Sequence, residues 1–290
     1  MKYAFITNQL NIAKKCKNID ILYFGDEFCQ NKIPNKQTIQ TAYQWAYKNN
    51  LQFVLVLPYI TNEKTELVNK ILEYLNNQKI TMEVVFNDWG TFTMIGKYKY
   101  LSPVLGRLLT KQKKDPIAET ILTNKQNKMK VVLENNKKLI LESKKVPASL
   151  TTYFQKSYID VPHVMDFMVS NNIKRYELDL LPWDNKLNIN KKIKSSIYFP
   201  YVNISTTRYC GAINLSYTNK CNLICQKQVI EIGKNKLDYP YIIMGNAIFY
   251  QATKEMLNKE IKNKNIDRIV INDISMLESL KCEKSPINKV

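Results

Sequence analysis

Four of the six cysteines of this chain stand where their thiols could do chemistry together: Cys29, Cys210, Cys221 and Cys225. Cys29 follows an apolar run, residues 21–24, that predicts a strand ending at Gly25. The other three follow a second apolar run, residues 197–204, in the spacing Cys-x10-Cys-x3-Cys. If both runs are strands of one parallel sheet, their carboxyl ends share a face and the four thiolates can converge there. Such a set suits an iron–sulfur cluster, which four cysteines usually hold.

Two other interpretations of these cysteines stay open. Structural zinc sites usually have paired cysteines with two to four residues between them, and only Cys221 and Cys225 form such a pair. Cysteine also packs as a small buried hydrophobe, so the thiols could be unconnected. A disulfide framework is typical of small secreted domains and suits this chain less well. Cys16, which precedes a strand, and Cys282, in a polar tail, are left out of the set.

The elements that must position these residues alternate between apolar strands and amphipathic helices. Strands are predicted at 3–7, 19–24, 52–59, 80–86, 101–105, 149–154, 175–181, 195–204, 241–249 and 268–271. Helices are predicted at 38–49, 63–76 and 163–171, where apolar residues recur every three or four positions. This alternation indicates parallel strands joined by helical crossovers. It predicts an α/β protein with a TIM-barrel-like (β/α)8 fold and a C-terminal cysteine-containing segment, with an open doubly wound sheet as the alternative.

The predicted domain organisation is a single barrel-like catalytic domain over residues 1–280, carrying the iron–sulfur site, and a polar tail over 281–290. Residues 111–145 are charged and alternate poorly, which predicts a helix-and-turn excursion. The start lacks a signal-peptide pattern and no run of eighteen apolar residues occurs. We therefore expect a soluble, cytoplasmic protein without membrane insertion.

The charge of the chain is strongly positive, with 43 Lys and Arg against 25 Asp and Glu and a formal net charge of +18. Clustered cations attract nucleic acid, so RNA is a possible partner. The lysines are, however, spread over the whole chain, which is more typical of compositional bias than of a nucleic-acid-binding surface. Only four arginines occur, and Arg107 and Arg208 both fall at predicted strand ends. Arginine binds carboxylates and phosphates in a planar, bidentate way, so these two residues are candidates for anion binding or for structural ion pairs.

The other candidate functional residues lie at the predicted carboxyl ends of strands, where barrel enzymes place their chemistry. Asn87 and Asp88 follow the fourth predicted strand, while Glu177 and Asp179 alternate within 175–181 and therefore point to the same side. Two close carboxylates can share a proton or pair with a cation, which displaces their pKa values. His163 is the sole histidine and fits the first turn of a helix, where capping or packing is the expected role.

Two stretches carry a family resemblance. Residues 84–90, ending in Asn87-Asp88-Trp89-Gly90, and residues 105–116, beginning Leu105-Gly106-Arg107, resemble the collagenase-like peptidase family with its NDxG turn and its LGRLLxKxxxDP stretch. Residues 175–179 and the cysteine run introduced by residues 205–209 continue the match in order. Within that family the chain resembles the UbiV-like iron–sulfur branch, whose early cysteine corresponds to Cys29.

The resemblance implies a barrel fold and a 4Fe-4S cluster held by Cys29, Cys210, Cys221 and Cys225. It also implies an enzyme or enzyme subunit for oxygen-independent hydroxylation in ubiquinone biosynthesis, with a UbiU-like paralogue as partner and prephenate as oxygen donor. A pocket for a small aromatic or anionic substrate would then be lined by Asn87, Asp88, Arg107, Glu177 and Arg208. Related members hydroxylate RNA bases, which gives a first alternative, and the family name gives peptidase activity as a second.

Overall fold

A computed structural model describes residues 1–16, 18–122, 128–132, 138–142, 147–183, 185–187, 192–214, 221–234 and 237–277. Its strands are β1 (Lys2–Thr7), β2 (Ile21–Gly25), β3 (Gln52–Val56), β4 (Met82–Phe86), β5 (Leu101–Leu105), β6 (Lys128–Val132), β7 (Lys138–Glu142), β8 (Arg175–Asp179), β9 (Lys194–Phe199), β10 (Tyr201–Thr206), β11 (Ile230–Ile232), β12 (Tyr241–Met244), β13 (Ala247–Gln251) and β14 (Ile266–Ile271). Eight of them close a parallel barrel in the order β1-β14-β9-β8-β5-β4-β3-β2. The fold is therefore a TIM barrel, as the alternation of elements predicts.

The helices are α1 (Leu10–Ala13), α2 (Lys36–Lys48), α3 (Asn62–Asn77), α4 (Trp89–Ile95), α5 (Arg107–Thr110), α6 (Ile117–Leu122), α7 (Ala148–Gln155), α8 (Pro162–Ser170), α9 (Gly211–Asn214) and α10 (Lys254–Glu260). The predictions for α2, α3 and α8 are confirmed within two residues at each end. On α2, Ile39, Ala42 and Ala46 form the buried stripe, which explains why the apolar spacing was informative. Within the described ranges, no helix has the length and hydrophobicity needed to cross a membrane.

Two strand predictions are wrong because a break was missed. The run 195–204 divides at Phe199-Pro200, so that β9 belongs to the barrel and β10 to a separate antiparallel sheet. Proline lacks the amide hydrogen that a continuous central strand would donate. The run 241–249 divides at Gly245, whose φ of +66° allows a turn, and forms the hairpin β12–β13. The second sheet has the order β10-β13-β12-β11, and its strand β10 directly follows β9 of the barrel in the chain.

Two other predictions from local pattern are wrong. Residues 149–154 form helix α7 and not a strand. Proline stands at the start of α7, and Phe154 near its end packs edge-on against Trp183 at 5.7 Å between ring centroids, so tertiary packing decides the state of this short segment. The excursion at 111–145 contains α6 and also the antiparallel hairpin β6–β7, which was not predicted. The predicted tail at 281–290 lies outside the described residues.

The barrel interior consists of an apolar layer with polar layers on either side. Inward-facing residues of seven of the eight strands, all but β8, form the apolar layer: Ala4, Ile21, Tyr23, Val54, Val56, Val85, Val104, Tyr198 and Val270. On one side of it, Arg268 donates to Glu83 at 2.7 Å and Arg175 forms an ion pair with Asp267 at 2.7 Å. On the other side, at the carboxyl ends of the strands, lies the charge cluster described next.

Candidate functional site

A buried arginine joins four segments at the carboxyl end of the barrel. Arg107, the first residue of α5, is 1% exposed. Its guanidinium donates to both carboxylate oxygens of Glu27 (3.0 and 2.5 Å), to Asp179 Oδ1 (2.5 Å) and to the carbonyl oxygen of Tyr201 (3.1 Å). Its central carbon also lies 3.8 Å from the centroid of the Tyr198 ring. Arg107 is thus a structural ion-pair partner at the barrel mouth, and its donors are occupied by the protein itself.

The carboxylate of Asp179 receives a second cation and a further backbone donor. Lys114 forms an ion pair with Asp179 Oδ2, and the backbone amide of Asn203 donates to Oδ1 at 3.1 Å. Burial opposes the charge on Asp179, but Arg107 and Lys114 outweigh it and lower the pKa of this carboxyl. Burial dominates at the other two groups, raising the pKa of Glu27 and lowering that of Lys114. Two cations and two carboxylates therefore lie together in a site that excludes water.

The loop that carries Cys29 is fastened to the loops that carry the later cysteines. The side chain of Asn246 donates to the carbonyl oxygen of Phe28 at 2.7 Å and to that of Thr207 at 2.8 Å. The hydroxyl of Tyr59 donates to the same Thr207 oxygen at 2.5 Å. Phe28 precedes Cys29 and Thr207 lies three residues before Cys210. One amide side chain therefore holds together two segments that are far apart in sequence.

The four predicted ligand cysteines lie in one neighbourhood. A β-carbon added to Gly245 would lie 3.2 Å from the Cys225 sulfur and 4.0 Å from the Cys210 sulfur, so both sulfurs border the space that this glycine leaves open. Cys29 and Cys210 line a common cavity of about 70 Å³. The exposed Cys221 is near enough to Cys225 to raise its pKa electrostatically. Cys210 and Cys225 thus lie at the turn between β12 and β13, with Cys29 next to Cys210 and Cys221 near Cys225.

Two thiols of this neighbourhood, those of Cys29 and Cys225, have raised pKa values and favour the protonated form. Burial, with the carboxylate of Asp26 acting in the same direction, raises the pKa of Cys29 to about 11. Burial also raises the pKa of Cys225. Within the part of the chain that the structure describes, no group of three or more His, Cys, Asp and Glu side chains is spaced to hold a single metal ion. Binding of iron would therefore have to displace protons from these thiols.

A cavity of about 190 Å³ opens at the barrel mouth beside the cysteines. Its charged lining residues are Asp26, Glu27, Lys32 and Arg107, and Phe28, Tyr201 and Phe249 supply aromatic walls. Phe28 also lines the smaller cavity that contains Cys29 and Cys210. A small polar or aromatic molecule in the larger cavity would thus be separated from the thiols by little more than one side chain.

Comparison with known proteins finds similarity in fold. No family model matches the sequence and no curated protein matches it. Among solved structures, the U32 peptidase Mk0906 is similar with a TM-score of 0.42 and 8% identity, over 94% of this chain and 92% of that chain. A GH18 chitinase from Cycas revoluta in complex with (GlcNAc)3 has a TM-score of 0.41 and 8% identity, over 97% of each chain. Dihydropteroate synthase (FolP) from Thermus thermophilus has a TM-score of 0.39 and 7% identity, over 97% of this chain and 93% of that chain.

The collagenase-like family named above is thus represented among the similar folds by a U32 peptidase. At these scores the likeness carries no argument about activity, and the closed barrel itself establishes the fold. The UbiV-like assignment stays a prediction.

Asp88 and Asn87, predicted for the pocket, make local structural contacts. Asp88 is the N-cap of α4: its carboxylate accepts from the backbone amide of Thr91 at 2.7 Å and from that of Ile60 at 3.2 Å. Asn87 is buried and donates to the carbonyl oxygen of Leu57 at 3.0 Å. These contacts shape the turn after β4, and neither residue lines the two cavities described above.

Arg208 and His163 lie in different places. Arg208 is exposed, lines the small cavity with Cys29 and Cys210, and stands 6.0 Å from the ring centroid of Tyr59. It is therefore the predicted site arginine that adjoins the cysteines. His163 lies in the first turn of α8, as predicted, and lines a separate groove with Trp89 and Phe167.

Glu177 lies inside the barrel and not in a cavity at its mouth. It is fully buried, Tyr23 donates to its Oε1 at 3.1 Å, and its Oε2 has no hydrogen-bond partner among the described residues. Burial raises the pKa of Glu177 to about 7, although Arg268 and Arg175 oppose the change. Of the two arrangements considered for these carboxylates, pairing with a cation is found at Asp179, which binds Arg107 and Lys114 and favours its charged form. Glu177 favours its neutral form.

We expect Glu177→Gln to change how stability depends on pH. The folded state holds the Glu177 proton more tightly than the unfolded state, where the pKa is 4.5. The wild-type free energy of unfolding therefore falls as the pH rises from 4.5 to 7, by about 3 kcal/mol at most from this group. Urea unfolding at about pH 5 and about pH 8 should show Glu177→Gln gaining stability relative to wild type at the higher pH. Glu63→Gln is the control, because Glu63 is exposed. If stability depended on pH in the same way in all three proteins, the raised pKa of Glu177 would be contradicted.

Several site residues were missed by sequence reasoning. Glu27 and Lys32 flank Cys29, and a charged segment directly after a fully apolar strand was an available signal for both. Lys114 was indistinguishable from the neighbouring lysines at 111 and 113. Nothing in the sequence marks Asn246, because its role depends on carbonyl groups contributed by distant loops.

Proposed function

We propose that the chain is an iron–sulfur protein in which Cys29, Cys210, Cys221 and Cys225 hold a 4Fe-4S cluster. The observation that supports the proposal is that Cys210 and Cys225 both border Gly245. Cys29 lines a cavity with Cys210, and Cys221 acts electrostatically on Cys225. A cluster is larger than a single ion and its sulfur ligands lie further apart, so it suits thiols that border a shared space. Gly245 leaves that space open because a β-carbon there would crowd the Cys225 sulfur at 3.2 Å.

The residues around the thiols would shape and position the substrate. When bound, a cluster of this kind exchanges single electrons at a potential that charge, hydrogen bonding and solvent exposure set. The cavity of about 190 Å³ would hold the reacting molecule, with Phe28 between it and the cysteines. Arg107 fixes Glu27, and with it the Cys29 loop, to the ends of β5 and β8. The barrel thus keeps the substrate cavity and the thiols in one fixed geometry.

The reaction that we propose is oxygen-independent hydroxylation, carried out by the chain alone or with a UbiU-like partner. The resemblance of the sequence to the UbiV-like branch supports this reaction. A hydroxyl group passes from an organic donor such as prephenate to an aromatic substrate, and a hydrogen replaces it on the donor. The exchange is balanced without molecular oxygen. An electron-transfer centre beside a small cavity is consistent with such chemistry.

Metal analysis of anaerobically purified protein tests the ligand set. Wild type should contain about four iron and four sulfide per chain, and Cys221→Ala should lose most of both. Cys16→Ala is the matched control, because Cys16 is buried just after α1 and its thiol donates to the carbonyl oxygen of Ile12. Full iron in Cys221→Ala would refute the ligand set, and stoichiometric zinc in place of iron would refute the cluster.

The second candidate function is RNA binding, which the net charge of +18 favours. Binding carried by phosphate contacts weakens steeply as salt increases. Filter binding of transfer and ribosomal RNA between about 50 and 200 mM salt would show such a decline if RNA is the substrate. RNA binding that is weak and does not depend on salt would contradict this function and indicate that the positive charge reflects compositional bias.

A further inference from the structure

Lys32 is held next to the cysteines by an ion pair. It ends the short 3-10 helix Gln30–Lys32, three residues after Cys29, and its side chain is 14% exposed. Its ammonium lies 3.2 Å from Asp26 Oδ2. Its backbone carbonyl accepts from the side chain of Asn8 at 3.3 Å. Both ends of the residue are therefore fixed.

The partner carboxylate is itself anchored at the cysteine loop. Asp26 Oδ1 accepts from the backbone amides of Phe28 at 2.9 Å and Cys29 at 2.8 Å. One carboxylate thus connects the Lys32 ammonium to the backbone of a proposed cluster ligand. If the Lys32 side chain moved to another rotamer, it would lose this ion pair at a site where both side chains are mostly shielded from water.

The charge of Lys32 acts on two of the cysteines. Asp26 is the main cause of the raised pKa of Lys32, and the thiolates of Cys225 and Cys29 contribute in the same direction. Lys32 also lines the cavity of about 190 Å³ on the other side. Its positive charge therefore lies at that cavity and within electrostatic reach of two proposed cluster ligands.

We propose that Lys32 is a positioning residue that raises the reduction potential of the iron–sulfur centre, an inference that rests on the proposed function. Four thiolate ligands give such a centre a net negative charge, and reduction adds one more negative charge. A cation held nearby and shielded from water favours the reduced form, because charges interact more strongly where the dielectric constant is low. Asp26 holds the Lys32 ammonium in place, and its negative charge partly offsets the effect of the ammonium on the potential.

The test is a redox titration of anaerobically loaded protein, followed by electron paramagnetic resonance, with iron content measured on the same samples. In Lys32→Met we expect the ratio of reduced to oxidised centres at the wild-type midpoint to fall about tenfold, which is about 59 mV for one electron. Lys32→Arg keeps the charge and should stay near wild type. Lys36→Met is the control, because Lys36 is exposed and lies over the Tyr74 ring, 4.8 Å from its centroid.

A second variant tests the same electrostatics with the opposite sign. Asp26→Asn keeps an oxygen that can accept from the Phe28 and Cys29 amides but removes the negative charge, so its potential should rise. Full iron with wild-type potentials in both Lys32→Met and Asp26→Asn would overturn the role of Lys32 while leaving the cluster intact. Wild-type protein without iron and sulfide would overturn the proposed function, and the role of Lys32 with it.

Discussion

Arg107→Met should lower the free energy of unfolding by about 3–5 kcal/mol, because it leaves two buried carboxylates without their main partner. Glu27 is 2% exposed and Asp179 is fully buried, and both accept short hydrogen bonds from the Arg107 guanidinium. Lys114 can still neutralise Asp179, but Glu27 would keep no ion-pair partner among its described contacts. Urea unfolding at about pH 7 measures the loss directly.

A positive charge at position 107 is not sufficient to restore the stability that Arg107 provides. Arg107→Lys should recover only part of the stability, since an ammonium cannot reproduce the bidentate contact with Glu27 while also reaching Asp179. Arg208→Met is the matched control on the same face, and because Arg208 is exposed we expect a change within about 0.5 kcal/mol. If Arg107→Met also stayed within about 1 kcal/mol of wild type, the four-charge cluster would not be stabilising the barrel mouth.

Gly25→Ala should destabilise the barrel by about 3 kcal/mol or more, through both backbone strain and a backbone clash. Gly25 has a φ of +139°, and a β-carbon there would lie 2.0 Å from the carbonyl oxygen of Val56 on the adjacent strand. Neither atom belongs to a flexible side chain, so β2 and β3 would have to separate. Gly25 also leads directly into Asp26 and the Cys29 loop, so we expect the same variant to lose iron.

Gly96→Ala provides the control for this substitution. Gly96 ends α4 with a helical φ of −58°, and a β-carbon there would meet its nearest neighbours at 3.7 Å, an ordinary contact. Replacing glycine by alanine at such a position typically stabilises by about 0.4–1 kcal/mol. Thermal unfolding should therefore move in opposite directions for the two variants. Similar melting temperatures would contradict the clash at Gly25.

Some secondary-structure elements of this fold could be predicted from the sequence, and others could not. Several barrel strands were recognisable because they are short apolar runs buried on both faces, as in β2, where every residue is buried. The broken strand at Pro200 and the hairpin at Gly245 were missed because apolar content continues across both breaks. Helix α7 was missed because its short sequence suits a strand equally well until Trp183 packs against it.

The period of the apolar residues distinguishes strands from helices, and the alternation of the two predicts a parallel α/β topology, so the fold class could be read from the sequence. The closure of the sheet into a barrel, where an open sheet was the alternative, is a result of the tertiary structure. The sequence also supplied the four cysteines that the structure brings into one neighbourhood. Only the tertiary structure decided which charges are paired. Glu177 and Asp179 stand two residues apart on β8, yet burial leaves one near a pKa of about 7, while Arg107 and Lys114 lower the pKa of the other. Charge pairing depends on distances and dehydration between strands, which residue order along a single strand does not specify.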